Sequence, residues 1–230
     1  MEQDRENFFR HSTLVVDTTK EAFCDLLAYK LKQKEQTLKQ FIEENQHDIY
    51  HSCYNRSPCC QCPPDSQPLC DKVFRPHQLD LLLDKSGSKL TGHRQGHQST
   101  PHCCCPVNPD ITLKMLDITL LRLLLLIFTD IGSSERDAVE DLNKIRNQSY
   151  AHASKGCMPT KEFEKSVSAI QKSLSVLAKV SGNETSTIQK VQEVLRQPIS
   201  SSLFNQLQTT LLQEAKLCDK IHETVKTVCT

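Results

Sequence analysis

The sequence predicts an all-α protein, and three observations carry that prediction. Apolar residues recur at three- and four-residue spacing through consecutive segments between Asp110 and Val180, the period of a helix face. Tryptophan is absent and the 230 residues include only six glycines, which favours helices over a turn-rich β fold. Asp117-Ile118-Thr119-Leu120-Leu121-Arg122-Leu123-Leu124-Leu125-Leu126-Ile127-Phe128 is apolar on nearly every side, as a central helix buried on several faces must be.

Taken in order, the first helix is expected over 8–34, with Phe8, Leu14, Val15, Phe23, Leu26, Leu27 and Leu31 as its apolar set. The β-branched run Val15-Val16 with Thr18-Thr19 makes its first turns ambiguous with a short extended piece. Thr37 opens a second amphipathic helix over 37–48, through Leu38, Phe41 and Ile42, fading near His47. Three further helices are expected over 111–130, 134–154 and 160–180. Ser133 or Ser134 is suited to cap the second of these, with Asp137 in its first turn, and Thr160 to cap the third. A short helix from Thr187 to Arg196 stops before Pro198. Phe204, Leu207, Leu211, Cys218, Ile221, Val225 and Val228 then form a heptad-like seam, suited to pairing with another helix of the chain or of a partner. The organisation expected is a helical bundle over 5–180, a Cys/His-rich insertion over 51–109 within it, and a helical tail over 184–230.

Charge is balanced at 28 basic and 28 acidic residues, so no global field draws the chain to nucleic acid or to a membrane surface. No apolar run is long enough to span a bilayer, since Asp117 and Arg122 interrupt the best one. The polar start Met1-Glu2-Gln3-Asp4-Arg5-Glu6 is unlike a signal peptide. A cytoplasmic protein with reduced thiols is therefore expected, and the sequons at Asn147 and Asn183 are chance matches.

Eight of the 12 cysteines lie between Cys53 and Cys105, in a stretch that also holds most of the prolines. Cys24, Cys157, Cys218 and Cys229 stand singly and read as small core residues. The run Cys59-Cys60-Gln61-Cys62 contains both a Cys-x-x-Cys and a Cys-x-Cys, and His93, His97, His102 and Cys103-Cys104-Cys105 follow about forty residues later. Zinc takes four thiolate or imidazole ligands in a tetrahedron, commonly as two closely spaced pairs. The candidate ligands are Cys59, Cys60, Cys62, His93, His102, Cys103, Cys104 and Cys105, with His51 or His93 favoured as the imidazole. The linker can form one turn of helix at Gln78-Leu79-Asp80-Leu81-Leu82-Leu83. So little apolar mass can hardly order itself, and a structural Zn2+ with all four positions filled would act as the staple. Disulfides or a cysteine-rich disordered loop are the competing readings.

The helix over 134–154 carries Lys144-Ile145-Arg146-Asn147-Gln148-Ser149-Tyr150-Ala151-His152. Ala138, Leu142, Ile145, Ser149 and Ala153 project on one face, and Arg146 and His152 fall on its opposite borders, about 120° apart. The centre of that face is small, so another helix can approach closely. A guanidinium and an imidazole flanking such a groove are placed to hold a phosphate, or to meet their counterparts across a two-fold axis. The competing reading makes Arg146 and Asn147 helix braces and His152 an interface histidine.

Leu116-Asp117-Ile118-Thr119-Leu120-Leu121, then Asp141-Leu142-Asn143-Lys144-Ile145-Arg146-Asn147, Tyr150-Ala151-His152-Ala153 and Glu162-Phe163 resemble a HEPN (higher eukaryotes and prokaryotes nucleotide-binding) domain. The subtype is the one first seen in the DAZ-interacting RNA-binding ubiquitin ligase. The resemblance covers roughly 110–180 and extends to the N-terminal helices. It implies a bundle of four or five helices paired into a homodimer. In many HEPN proteins the arginine and histidine cut RNA without a metal. Carried over, His152 would be the general acid or base, Arg146 would hold the phosphate charge, and Asn147 would orient phosphate or histidine. Members of this subtype often serve instead as modules of larger proteins, and no basic, aromatic-rich strip flanks the motif as single-stranded RNA binding favours. The function expected is a dimeric HEPN-type interaction module with an RNA-related role in regulation or innate defence, with the C-terminal helix as a protein-docking element. The alternative is a metal-independent endoribonuclease built on Arg146 and His152.

Overall fold

The computed structural model describes residues 2–62, 73–93, 100–153, 155–196 and Thr209, and for Glu2 and residues 150–153 the backbone alone. The described chain is mostly helical, and its one β feature is an isolated antiparallel bridge between Leu83 and Val107. It divides into two compact units, Met1–Asp25 with Gly132–Thr230, and Leu26–Ile131. The seam over 204–228 lies outside the described residues, apart from Thr209.

In the first unit, helix α1 (Glu2–Thr13) runs into a π-helical turn at Leu14–Thr18, and α2 (Thr19–Gln33) follows. The β-branched run that left extended structure open is absorbed here by a π-bulge, a distortion that relieves crowding within a helix. The Thr19 hydroxyl donates to the Leu14 carbonyl at 3.1 Å. Helix α7 (Ser133–Ala153) begins at Ser133, and its first free carbonyl, that of Gly132, accepts from Arg136 N–H at 3.0 Å. Helix α8 (Thr160–Ser181) has Pro159 at its N-cap, so Thr160 is its first residue rather than its cap. The hydroxyl of Thr160 accepts instead from Asn7 Nδ2 at 3.2 Å, and Asp4 O accepts from Met158 N–H at 2.8 Å. These bonds tie α1 to the α7–α8 connection. Gly182 ends α8 at φ 76°, the left-handed conformation that glycine adopts without a Cβ penalty. Helix α9 (Glu184–Arg196) starts three residues before the expected Thr187 and packs on α8. Helix α8 also packs on α1 and α7, and it buries Val167, Ile170, Leu174, Leu177 and Ala178.

The second unit begins at Leu26, inside α2. Beyond the turn at Glu35 (φ 53°), Thr37 makes a capping box with Gln40 that starts α3 (Leu38–Glu44). The single helix expected over 37–48 is two. Asn45 interrupts it at φ −99°, ψ 8°, donating its amide to Phe41 O at 2.7 Å, a side-chain bond that competes with the helical ladder. Helix α4 (Gln46–His51) then carries the chain past the expected fade-out at His47. After the first cysteine cluster come α5 (Pro76–Leu82), a 3₁₀ turn at Leu113–Met115 and α6 (Ile118–Phe128). Asp117 caps α6 by accepting from Leu120 N–H at 2.8 Å. This helix is shorter than the expected 111–130, because the residues before Asp117 form the separate 3₁₀ turn. Its Ile118, Leu120, Leu121, Leu123, Leu124 and Leu125 are buried, as a core helix hydrophobic on most sides requires.

Leu124 is fully buried, whereas Ile127 on the same helix is 45% exposed. Leu124→Ala should therefore lower unfolding stability by about 2–5 kcal/mol, and Ile127→Ala by about 0.5 kcal/mol or less. Urea denaturation of the two variants beside the parent measures both.

A candidate metal centre

Helix α4 places His47 and His51 one turn apart, so both rings leave the same face. The chain then passes through Cys53-Tyr54 and returns the Cys59–Cys62 run to that face. His47, His51, Cys59 and Cys62 form one group of four donors whose ligand atoms all lie within 4.8 Å of one another. Cys62 Sγ is 3.6 Å from Cys59 Sγ, 3.1 Å from His51 Nε2 and 3.7 Å from His47 Nε2. His47 Nδ1 faces Asp48 Oδ1 at 3.4 Å, the carboxylate–imidazole arrangement that orients a ligating histidine.

Cys60, His93, Cys103 and Cys104 form the second group. Cys103 Sγ is 3.7 Å from both Cys60 Sγ and Cys104 Sγ, and Cys60 Sγ is 3.4 Å from His93 Nδ1. Two neighbouring cysteines face one point only if the backbone between them turns sharply. Cys104 does so at φ 54°, a conformation uncommon for a residue with a side chain and one that clusters at functional sites. The Cys104 carbonyl accepts from Leu90 N–H at 2.8 Å and the Leu90 carbonyl from His93 N–H at 3.2 Å, which brings His93 beside the pair.

Both groups fit a tetrahedral ion. Zinc–sulfur bonds of about 2.3 Å and zinc–nitrogen bonds of about 2.0–2.1 Å imply S···S edges near 3.8 Å and S···N edges near 3.6 Å. The observed sulfur separations and two of the three sulfur–nitrogen separations lie within a few tenths of an ångström of those edges. Among the groups bearing on the site, burial pushes the Cys59 thiol up to about 11 and the Cys104 thiol up to about 12, and raises that of Cys103. Burial acts against the Cys62 thiolate too, but hydrogen bonds from the Cys59 backbone and the His47 ring outweigh it and hold that thiol below its ordinary range. His51 is shifted down by burial and by the neighbouring His47, which keeps its ring neutral and able to ligate.

Six of the eight cysteine and histidine residues expected as ligands stand in these two groups, and they divide between them rather than meeting at one point. His102 and Cys105 stand in neither. His102 is buried with both ring nitrogens engaged: Nε2 lies 2.6 Å from Asp80 Oδ1, and Nδ1 faces the Tyr54 hydroxyl at 2.8 Å. Such a ring has no lone pair left for a metal. Cys105 Sγ contacts Lys89 Nζ at 3.0 Å and donates to Pro101 O at 3.2 Å. His47 was not among the expected ligands. The His-x-x-x-His spacing ahead of Cys-x-x-Cys was the available signal. His97 and Cys70 lie outside the described residues.

The Arg146 motif lies on α7 in the other unit. Arg146 is half-buried, Asn147 exposed and Ser149 buried, while the His152 side chain lies outside the described residues. The small centre of that face is covered within the chain by α1. His11, 1% exposed, places Nδ1 3.4 Å from Ser149 Oγ and Nε2 2.7 Å from Ser166 Oγ on α8. Ser149 donates to Ile145 O at 2.9 Å, which assigns the His11 proton to Nδ1 and leaves Nε2 to accept from Ser166. A cavity of about 180 Å³ beside them is lined by Met158, Glu162 and Lys165 among others. Sequence reasoning missed His11, because one histidine on an apolar helix face carries no spacing signal.

No family model, no curated protein and no solved structure matches this chain. No helix among the described residues is long and apolar enough to cross a membrane.

The bonding of His102 separates it from the metal donors in a testable way. His102→Leu should leave the metal content of the purified protein unchanged. It should cost roughly 1–3 kcal/mol of stability by stranding the Tyr54 hydroxyl. Elemental analysis and thermal unfolding of the same sample read the two effects.

Proposed function

We propose that this chain is a HEPN-type interaction module: a helical scaffold stapled by structural zinc, acting by binding and not by cleavage. The observation that carries the zinc staple is that each Cys/His group offers four protein donors. Four filled positions leave none for the water or substrate that a catalytic zinc needs. Zinc is favoured over other divalent ions by the mixed thiolate–imidazole donor set and the tetrahedral spacing. The other distinctive residues fit a bracing role. Arg146 is half-buried on α7, and the small face beside it is filled by His11 of the same chain.

The HEPN reading rests on the resemblance of 110–180 and is supported by the packing of α7 and α8 against α1. It brings with it a homodimer and an RNA-related role in regulation or innate defence in the cytoplasm, with protein partners engaged through the C-terminal segment. A dimer should elute in light-scattering chromatography at twice the 26.1 kDa chain mass.

The competing reading, a metal-independent endoribonuclease, separates cleanly. Labelled RNA is incubated with the parent protein and with His152→Ala in buffer without added metal. The module predicts intact RNA with both proteins, and retention of RNA in a gel shift is compatible with it. Cleavage by the parent that disappears in the variant would replace the module with the enzyme.

A further inference from the structure

Within the zinc-staple reading on which it rests, we infer that the second unit holds two zinc ions, with ligands interleaved along the chain. His47, His51, Cys59 and Cys62 take one ion. Cys60, His93, Cys103 and Cys104 take the other.

The partition follows from the sulfur positions. Cys59 and Cys62 are partners at 3.6 Å, while Cys60, which lies between them in sequence, pairs with Cys103 at 3.7 Å. In a tight turn, closed by the Cys62 N–H bond to Cys59 O at 3.2 Å, positions one and four point to one side. Position two then points elsewhere. One ion would have to choose four of eight donors, one group or the other, and strand the rest, at least two of them buried side chains, without a ligand role. Two ions use all eight.

The two sites differ in charge and in span. Two thiolates and a dipositive ion make the first site neutral. Three thiolates and a dipositive ion leave one net negative charge on the second. Lys89 supplies the matching cation: its Nζ lies 2.9 Å from Cys103 O, 3.0 Å from Pro101 O and 3.0 Å from Cys105 Sγ. The first site draws all four ligands from residues 47–62, on α4 and the turn after it, whereas the second closes a loop from Cys60 to Cys104. Loop closure over that length carries an entropic cost that grows with the number of residues enclosed. Filling the first site fixes the turn that presents Cys60, so it prepares the second. The help is mutual, since the free energy that couples two binding sites is the same in either direction. The order of loading, first site before second, is set by the shorter loop that the first site closes.

The experiment uses the full chain purified without added metal, its zinc measured per chain, and its cobalt-exchanged form examined by absorption. The parent should hold two zinc ions. Cys103→Ser with Cys104→Ser should hold one and lose about three-fifths of the sulfur-to-cobalt charge-transfer intensity, since three of five thiolates leave the metal. His51→Ala with Cys62→Ser should lose the first ion outright, and release the second to a colorimetric chelator at a lower concentration than the parent does. The parent stoichiometry and spectrum stand without either variant, should one fail to fold. One zinc per chain, removed by either pair of substitutions, would overturn the partition and leave the staple. Two zinc ions retained by either pair would overturn the ligand assignment. No zinc in the parent would overturn both the partition and the staple.

Discussion

The second unit depends on how the four residues Cys59-Cys60-Gln61-Cys62 turn. Side chains that are neighbours in sequence are sent to different partners: two to the helix behind them and one to a turn some forty residues away. That divergence joins α4 to the His93–Cys104 loop in a stretch where apolar packing is thin. Tyr50, Cys59, Cys60, Cys62 and Cys103 are themselves the buried cluster there, with Tyr54 and Cys104 at its margin. Thiols and rings thus stand where leucines would stand in a larger core. Burial raises the ionisation of the Tyr50 hydroxyl to about 12, and that hydroxyl accepts from Thr100 at 2.9 Å, which anchors the loop ahead of the second cysteine cluster.

Around this polar centre the unit is conventional. Leu79 and Leu82 from α5, Leu83 after it and Leu120, Leu121, Leu123, Leu124 and Leu125 of α6 are buried, and the rings of Phe74 and Phe128 meet with centroids 6.0 Å apart. His102 joins α5 to the cluster, bonding Asp80 on one side and Tyr54 on the other. Asp80 is held below the usual carboxylate range first by its hydrogen bond from Lys85 and then by that from His102. The first unit achieves order differently. There α8 is flanked by α1, α7 and α9, and a buried polar node, His11 between Ser149 and Ser166, has a hydroxyl at each ring nitrogen. A satisfied polar contact of this kind selects one arrangement of three helices without adding much net stability.

Much of the helical layout was legible because helix period, caps and breakers act locally. The leucine-rich α6, the span of α7, and α8 ending before Gly182 follow from spacing and from residues adjacent in sequence. The illegible parts depend on distant partners. Thr160 has the chemistry of a cap, yet Asn7 of α1 takes its hydroxyl. Asn45 splits a helix because its amide finds the Phe41 carbonyl. The soft-donor content of the Cys/His stretch was plain, but its division was not, because Cys60 and Cys62 are chemically identical and only the turn decides which faces His51. His102 has a ligand's chemistry and is excluded by two hydrogen bonds that no spacing rule encodes.

The central claim is that the donors form two filled tetrahedral sites of different composition. Zinc K-edge X-ray absorption of the protein as purified tests it most directly, because it reads the average first shell without altering a residue. Two cysteines in one group and three in the other predict a mean of two and a half sulfurs and one and a half imidazole nitrogens per zinc, with sulfur at about 2.3 Å and nitrogen at about 2.0–2.1 Å. A first shell of four sulfurs, or one containing oxygen from water, would contradict it.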